Sequence, residues 1–177
     1  MAAASDQVRA DLEWIARDYR AILRAARVGE LDLPSDGTRW TNRQLLFHML
    51  LGQRITRMVI VIMAVFSRLP PGASRAWAKG MAAVTPVYER LNFAGAVVGG
   101  RLFTEADMGR QMAAVTAKIL HFYDHASPDE MGRGMAIPPS WDPYFSTWMD
   151  RAGLMTWAPK HYRHHRRQLT LTTLPPL

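Results

Sequence analysis

The sequence predicts an all-α protein built around four long helices, with a long connection between the second and the third. In four stretches, apolar residues recur at alternating spacings of three and four, which is typical of a helix face packed against other helices. Capping residues, glycines and prolines stand at the ends of these stretches. The 177 residues are 49% hydrophobic and 21% charged, which favours one domain over residues 1–177 with a sizeable core.

The first predicted helix covers about residues 5–28. Gly29 stands where a helix C-cap is expected, and residues 33–37, Leu-Pro-Ser-Asp-Gly, are typical of a loop. The apolar face of this helix consists of Val8, Leu12, Ile15, Tyr19, Ile22 and Ala26.

The second helix is expected to begin after Thr41, because Thr41 followed three residues later by Gln44 is a capping-box pattern. The Pro-Pro-Gly sequence at residues 70–72 ends it. Its predicted face consists of Leu45, His48, Gly52, Ile55, Val59, Ile62 and Phe66. A histidine therefore occupies a core position, and Gly52 leaves space beside it one turn away.

The region between residues 73 and 100 is rich in Ala and Gly and predicts a connection with one or two shorter helical pieces. Thr104 with Asp107 predicts the start of the third helix. Its apolar face consists of Met108, Met112, Val115, Ile119, Phe122 and Ala126. Residues 127–157 are interrupted by prolines and glycines, and only residues 144–153 favour a short helix. Four aromatic residues there are expected to cover one end of the bundle: Trp141, Tyr144, Phe145 and Trp148.

The fourth helix is expected to begin near Ala158, because Pro159 is favourable in a first helical turn, and to continue toward Thr172 before Pro175 and Pro176. At about 100° per residue, one face carries Ala158, His161, His165, Leu169 and Thr172. Four neighbouring residues fall outside that face: Arg163, His164, Arg166 and Arg167.

Three of these positions, His48, His161 and His165, predict a buried metal site. His161 and His165 are four residues apart, so on a helix both side chains leave the same face and can hold one ion. We expect no carboxylate near the three imidazoles, and we expect all three within about two turns of a helix N-terminus, where the dipole keeps the rings neutral. Three protein ligands leave a position open for water or substrate, as catalytic metal sites do.

Two interpretations without this site stay open. His48 can be a hydrogen-bonded core histidine, with residues 160–167, KHYRHHRR, as a basic solvated helix end. A second pair, His121 and His125, has the same spacing. His121, however, lies about 160° from the core direction of its helix, so we expect that pair to face solvent.

Composition limits the chemistry and the partners. The sequence contains no cysteine, so nitrogen and oxygen must hold any metal, and a catalytic thiol must come from a cosubstrate. The net charge is +7, but basic residues are spread along the chain, and we expect no nucleic-acid partner. The longest apolar run, residues 58–66, is far shorter than the roughly 20 residues that span a bilayer. With no secretory signal pattern at the start, we expect a cytoplasmic protein that is not bound to a membrane.

Several short motifs resemble the DinB-like superfamily of metal-binding four-helix bundles, in order and over most of the chain. They are Arg39-Trp40-Thr41, then Leu46-Phe47-His48-Met49-Leu50, and finally residues 161–169, HYRHHRRQL. The resemblance implies a DinB-like four-helix bundle in which His48, His161 and His165 bind a divalent metal, with His164 as a nonligating neighbour. Relatives include bacillithiol S-transferases and mycothiol-dependent maleylpyruvate isomerases. Since His161 stands where such isomerases use glutamate, the chain is more similar to the three-histidine members.

We therefore expect a metal-dependent enzyme in which the ion lowers the pKa of a low-molecular-weight thiol for attack on a small electrophilic substrate. Activation of water for hydrolysis is an equal use of the open position. Three imidazoles suit zinc, nickel, copper or ferrous iron, and zinc or nickel is expected ahead of iron. The alternative is a noncatalytic metal-binding or dimerising bundle of the stress response. A homodimer is a further expectation.

Overall fold

The computed structural model describes residues 2–70 and 72–174. Within them the chain forms seven α-helices, two short β-strands and two 3₁₀ turns. The helices are α1 (Ala2–Ala25), α2 (Asn42–Phe66), α3 (Gly72–Ala83), α4 (Thr85–Leu102), α5 (Glu105–His125), α6 (Pro128–Gly132) and α7 (Arg151–Arg166). The strands are β1 (Gly134–Ala136) and β2 (Trp148–Asp150).

Four long helices, α1, α2, α5 and α7, enclose the core. α1 packs against α5 and α7, and α2 packs against the same two helices and against α4. The predicted faces of the first three long helices supply much of the core, including the buried residues Leu12, Ile15, Tyr19, Ile22, Leu45, Met108, Met112 and Ile119. The mostly helical fold that the sequence predicts is therefore confirmed.

α2 is the central helix. Its capping box is present as predicted, since Thr41 accepts a hydrogen bond from the Gln44 amide and Gln44 Oε1 accepts one from the Thr41 amide at 3.2 Å. Residues 45–50 are all buried. α2 is also the one helix in the described part of the chain that is long and apolar enough to cross a membrane, a test that core helices pass as well, and 39% of its most apolar window is buried.

The predicted face of α2 is partly wrong beyond Gly52. The buried residues there are Gln53, Thr56, Ile60 and Met63. Val59 and Ile62 are only partly buried. The reason is that Val59 and Ile62 pack against the edge of the core and also line an apolar cavity.

The connection between α2 and α5 contains two helices, α3 and α4, within the one or two pieces that the sequence predicts. α4 lies close against α2 because glycines remove side chains from the contact. A Cβ atom at Gly99 would overlap the Phe47 ring, and one at Gly100 would lie 3.1 Å from Gln44 Cα. Gly99 and Gly100 thus allow close packing of α4 on α2.

α1 ends at Ala25, three residues before the predicted end. Gly29 does adopt a left-handed conformation, with φ of 85°, but it precedes the 3₁₀ turn Glu30–Asp32 and does not cap α1. The Glu30 carboxylate accepts a hydrogen bond from the Arg27 amide at 2.9 Å. This bond gives the Arg27 amide a partner outside α1, so the helix can end at Ala25, before Gly29.

The predicted start of the fourth long helix is wrong. α7 begins at Arg151, because Asp150 accepts a hydrogen bond from the Gly153 amide at 2.7 Å and caps the helix. Pro159 therefore lies inside the helix. The short helix expected over residues 144–153 is also wrong, since β2 and the first turn of α7 occupy its second half.

A small antiparallel sheet departs from the all-α prediction. β1 pairs with β2 in the register Gly134 with Asp150, Met135 with Met149 and Ala136 with Trp148. Strands of three residues are too short to show an alternating pattern in the sequence, so their pairing could be seen only in the tertiary structure. The sheet closes a loop, residues 137–147, that reaches the site described below.

α7 ends at Arg166, well before Thr172, because the following residues pair with other polar groups. The Thr170 amide donates to Asn42 Oδ1 at 3.0 Å, and the Thr172 amide donates to Glu30 Oε1 at 3.2 Å. These bonds satisfy the backbone in an extended segment that runs beside the start of α2. The prolines used as helix stops, Pro71, Pro175 and Pro176, lie outside the described residues.

A buried ion pair joins α7 to α1. Arg166, 2% exposed, donates to both carboxylate oxygens of Asp18, from Nε at 2.7 Å and from Nη2 at 2.9 Å. The Tyr162 hydroxyl donates to the same carboxylate at 2.9 Å, and burial and the Asp18 charge hold its pKa well above the usual range. Arg166 lies outside the face that the sequence predicts to be buried, yet Arg166 and Tyr162 are both buried. α7 therefore has a second buried face, which packs on α1.

We expect Arg166→Met to lower the free energy of unfolding by about 3–5 kcal/mol, because it leaves the Asp18 carboxylate buried without its charged partner. Urea denaturation measures the change. The matched control is Arg110→Met, which removes an ion pair with Asp107 from an arginine that is 71% exposed and should cost no more than about 1 kcal/mol. Equal small losses in the two variants would contradict a structural role for the buried pair.

Candidate metal centre

The structure brings the three predicted histidines together. His48 comes from α2, and His161 and His165 come from α7. His48 Nε2 lies 3.1 Å from His165 Nε2, and one nitrogen from each of the three rings lies within 4.8 Å of the other two. His48 and His161 are buried, at 6% and 7% exposure. The cluster could hold a metal ion.

Two of the rings have their second nitrogen occupied by an acceptor. His161 Nδ1 donates to Asp142 Oδ2 at 3.0 Å, and His165 Nδ1 donates to Gln168 Oε1 at 2.7 Å. Because each Nδ1 carries the proton, each Nε2 keeps its lone pair. Among the residues that the structure describes, His161 Nε2 is buried and has no hydrogen-bond partner, which is costly unless a ligand satisfies it.

Burial keeps the His48 and His165 rings neutral. Burial first, and then the neighbouring His161 and His165 rings, hold the pKa of His48 well below its usual range, although the nearby Asn92 side chain and the Asp142 charge raise it. Burial, and then the neighbouring His161 and His164 rings, lower the pKa of His165 to about 3. Neutral imidazole is the form that binds a metal.

The expectation that all three histidines lie within two turns of a helix N-terminus, where the dipole keeps the rings neutral, is wrong. His48 does lie within two turns of the start of α2. His161 and His165, however, lie in the second half of α7, and His165 is next to its last residue. A helix C-terminus favours the charged ring, so desolvation outweighs the dipole at His165.

The expectation that no carboxylate lies near the histidines is wrong. Asp142 belongs to the loop 137–147, and its side chain is only 10% exposed. Burial alone would raise the Asp142 pKa, but the hydrogen bonds from His161 and the Tyr144 amide, together with the neighbouring Trp157 side chain, bring it below the usual value. A carboxylate that accepts the outer proton of a histidine orients the ring and makes it a stronger metal ligand.

Aromatic rings fix the planes of two imidazoles. Trp40 stacks on His48, with 4.6 Å between ring centroids and 24° between planes. Trp157 packs on His161 with centroids 4.8 Å apart. Trp40 in turn stacks on Phe93 and donates to its carbonyl at 3.4 Å. The Trp40 side chain of the Arg39-Trp40-Thr41 motif thus positions His48.

Gly52 supplies the space that the sequence predicts beside His48, and His161 fills it. A Cβ atom at position 52 would lie 2.9 Å from both Cδ2 and Nε2 of His161, closer than such contacts occur. Glycine at this position therefore lets α7 bring His161 against α2.

The three histidines line a cavity of about 210 Å³. As expected, aromatic residues of the loop 137–147 cover this end of the protein, since Trp141, Tyr144 and Phe145 line the cavity. Trp148 was expected with them but lies in β2 and is 51% exposed. His164 stands outside the three-histidine cluster and lies 3.2 Å from the Tyr144 hydroxyl through its Nδ1.

The other histidine pair faces solvent, as predicted. His121 and His125 are both exposed, and His125 Nδ1 bonds with the His121 carbonyl at 2.8 Å. The basic end of α7 is partly neutralised within the protein, because Arg163 forms a bidentate pair with Asp11 at 2.6 and 3.1 Å and Arg166 pairs with Asp18.

Sequence reasoning missed Asp142, Gln168 and Trp157. Gln168 follows His165 by three residues, a spacing that places two side chains on one side of a helix end, so it had a usable signal. Asp142 lies 19 residues from His161, and no spacing rule connects a loop residue to a helix over that distance.

Comparison with known proteins gives one result. No curated protein and no solved structure matches the chain. A family model, that of the DinB superfamily, matches residues 11–169, from α1 to just beyond α7, and the matched segment includes all three histidines. Because the match covers most of the chain, the protein belongs to the DinB superfamily.

Proposed function

We propose that His48, His161 and His165 bind a divalent metal and that the protein is an enzyme joining a low-molecular-weight thiol to a small electrophile. The observation that carries the proposal is the buried Nε2 of His161, which has no hydrogen-bond partner in the described part of the chain and faces two further imidazoles in a cavity. A metal ion satisfies that lone pair.

The residues present fit a borderline metal ion. Imidazole nitrogens bound tetrahedrally at about 2.0–2.1 Å lie about 3.3 Å apart, and His48 Nε2 and His165 Nε2 are 3.1 Å apart. Asp142 and Gln168 supply the outer hydrogen bonds that histidine ligands usually make. A neutral three-nitrogen set suits zinc or nickel, with ferrous iron after them.

A bound ion of this kind supplies Lewis acidity, which lowers the pKa of a thiol or of water that enters the open position. A thiol needs less help, because its pKa is about 8.5 whereas that of bulk water is about 15.7. Asp142 is the one carboxylate among the described residues lining the cavity, and it already accepts the His161 proton. The lack of a free carboxylate base favours the thiol.

In the proposed reaction, the thiol sulfur forms a bond to the electrophilic carbon. The bond from that carbon to its leaving group breaks, the leaving group takes the electron pair, and the thiol proton leaves to water. The chain's own contribution is positional: Trp40 and Trp157 hold the imidazole planes, and aromatic walls limit the water around the reacting groups.

Elemental analysis of protein purified without a tag or chelator tests the metal. We expect about one divalent ion per chain, lost in His48→Ala and retained in the control His125→Ala, whose histidine is exposed. Wild-type protein that binds no zinc or nickel after reconstitution would contradict the proposal.

The same variants then test catalysis against the noncatalytic alternative. Wild-type protein should show saturable conjugation of a thiol with an electrophile such as 1-chloro-2,4-dinitrobenzene, and His48→Ala should lose it. The doubly substituted His161→Ala/His165→Ala protein should lose the metal. If this loss lowers its melting temperature, and if the wild type shows no activity, the metal is structural. Ester hydrolysis without thiol dependence would indicate activated water.

We expect Asp142→Asn to weaken zinc binding by about 10- to 100-fold, because the amide no longer supplies the negative charge that orients and polarises His161. Competition with a chromophoric chelator measures the dissociation constant. Asp129→Asn is the control, since its side chain is 82% exposed in a surface ion pair. Unchanged zinc affinity in Asp142→Asn would show that Asp142 does not support a metal ligand.

Gly52→Ala should lower zinc affinity by at least about tenfold, the scale of losing a ligand's support, because the new methyl group displaces the His161 ring. Gly95→Ala is the matched control in α4, where an added Cβ meets no described atom within 4 Å. Equal affinities in the two variants would place His161 away from the ion.

A further inference from the structure

We propose that a second, apolar cavity beside the metal centre receives the apolar group of the electrophilic substrate, an alkyl or aryl group of about six carbon atoms. We call it the apolar chamber. That the occupant of this chamber reacts at the metal centre rests on the proposed function. The existence and filling of the chamber can be tested independently of any metal.

The apolar chamber has a volume of about 170 Å³. One side is the stretch of α2 whose predicted core face is only partly buried, and the other sides come from α3 and from residues in and next to β1. Every lining side chain is aliphatic, aromatic or a thioether. The residues that line this chamber and not the metal-centre cavity are Met58, Val59, Ile62, Trp77, Met135 and Ile137.

The chamber adjoins the metal centre. Four residues line both cavities: Ile55, Tyr88, Trp141 and Phe145. The Tyr88 and Trp141 rings stack with centroids 4.1 Å apart and planes 3° apart. A flat aromatic pair therefore forms part of the wall that the two cavities share. The proposed substrate lies beside this pair, with its reacting end toward the histidines and its apolar group in the chamber.

The volume sets the size of the group. An apolar cavity of about 150 Å³ stays dry and accepts benzene, so 170 Å³ accommodates one benzene ring or a chain of about six carbons. Protein interiors leave few voids larger than a water molecule. Two apolar α2 residues beside empty space, Val59 and Ile62, thus indicate a ligand site.

The apolar chamber suits the electrophile better than the thiol. Low-molecular-weight thiols carry charged or hydroxyl groups, and removing those groups from water without hydrogen-bond partners is costly. The chamber offers few such partners. The metal-centre cavity is different, because imidazole, amide and carboxylate side chains line it. The metal-centre cavity is thus the polar site for the thiol, and the apolar chamber is the site for the apolar group of the electrophile.

The first experiment tests the chamber in metal-free protein with ethylbenzene as the probe. We expect saturation-transfer NMR to show binding to the wild type and loss of binding in Val59→Phe, which fills the chamber. Val65→Phe is the control, because Val65 is 55% exposed on the same helix. Ile62→Phe serves if Val59→Phe does not fold. No binding to the wild type, or equal binding to the filled variant, overturns the proposal.

The second experiment tests the connection with zinc-loaded protein and straight-chain hydroxamic acids of two to ten carbons. The head group binds zinc, so each added methylene that enters the chamber should tighten binding about fourfold, with a plateau once the chamber is full. Val59→Phe should remove this dependence and leave the affinity for acetohydroxamate unchanged. Affinity independent of chain length in the wild type overturns the proposal.

The two experiments separate the possible failures. Ethylbenzene binding without zinc or acetohydroxamate binding would overturn the proposed metal-dependent function and, with it, the link from the chamber to catalysis. Acetohydroxamate binding without ethylbenzene binding or chain-length dependence would leave the metal centre intact and overturn the apolar chamber alone.

Discussion

The buried pair of Asp18 and Arg166 is the constraint on which the site depends. A carboxylate and a guanidinium at 2–3% exposure must meet, because either one buried alone is far more costly than the pair. Their contact, with the Tyr162 hydroxyl bonded to the same carboxylate, allows α7 one rotation against α1. Tyr162 and Arg166 immediately follow His161 and His165, so this rotation turns the two histidines toward His48 on α2.

The site is built from residues on two long helices and from residues on the loop 137–147. Two long helices place the ligating nitrogens, and Gly52 allows these helices to approach. The hairpin of β1 and β2 then returns the loop 137–147, so that Asp142 accepts the His161 proton and Trp141 covers the cavity. The result is a cluster in which the buried Nε2 of His161 has no hydrogen-bond partner among the described residues, and Nε2 of His48 lies 3.1 Å from Nε2 of His165. This arrangement is unfavourable for the protein alone and favourable around a cation.

The sequence predicts the long helices well where local chemistry and periodicity agree. Thr41 and Thr104 cap α2 and α5 as expected, and the central residues of the predicted faces of α1 and α5 are buried. It fails where a distant group overrides a local preference. Pro159 favours a helix start, yet α7 begins eight residues earlier, because Asp150 caps it and Arg151 donates to the Ile60 carbonyl at 2.9 and 3.1 Å.

The sequence by itself determined that His48, His161 and His165 lie on inward-facing positions, because helical periodicity is a local property of the chain. It also determined that the protein itself supplies no thiolate, since cysteine is absent. Only the tertiary structure decided the partners of these rings: Asp142, Gln168, Trp40 and Trp157. It also decided that desolvation, and not a helix dipole, keeps His48 and His165 neutral. Burial and contacts between distant residues depend on how the helices and the hairpin pack together, and no spacing in the sequence encodes them.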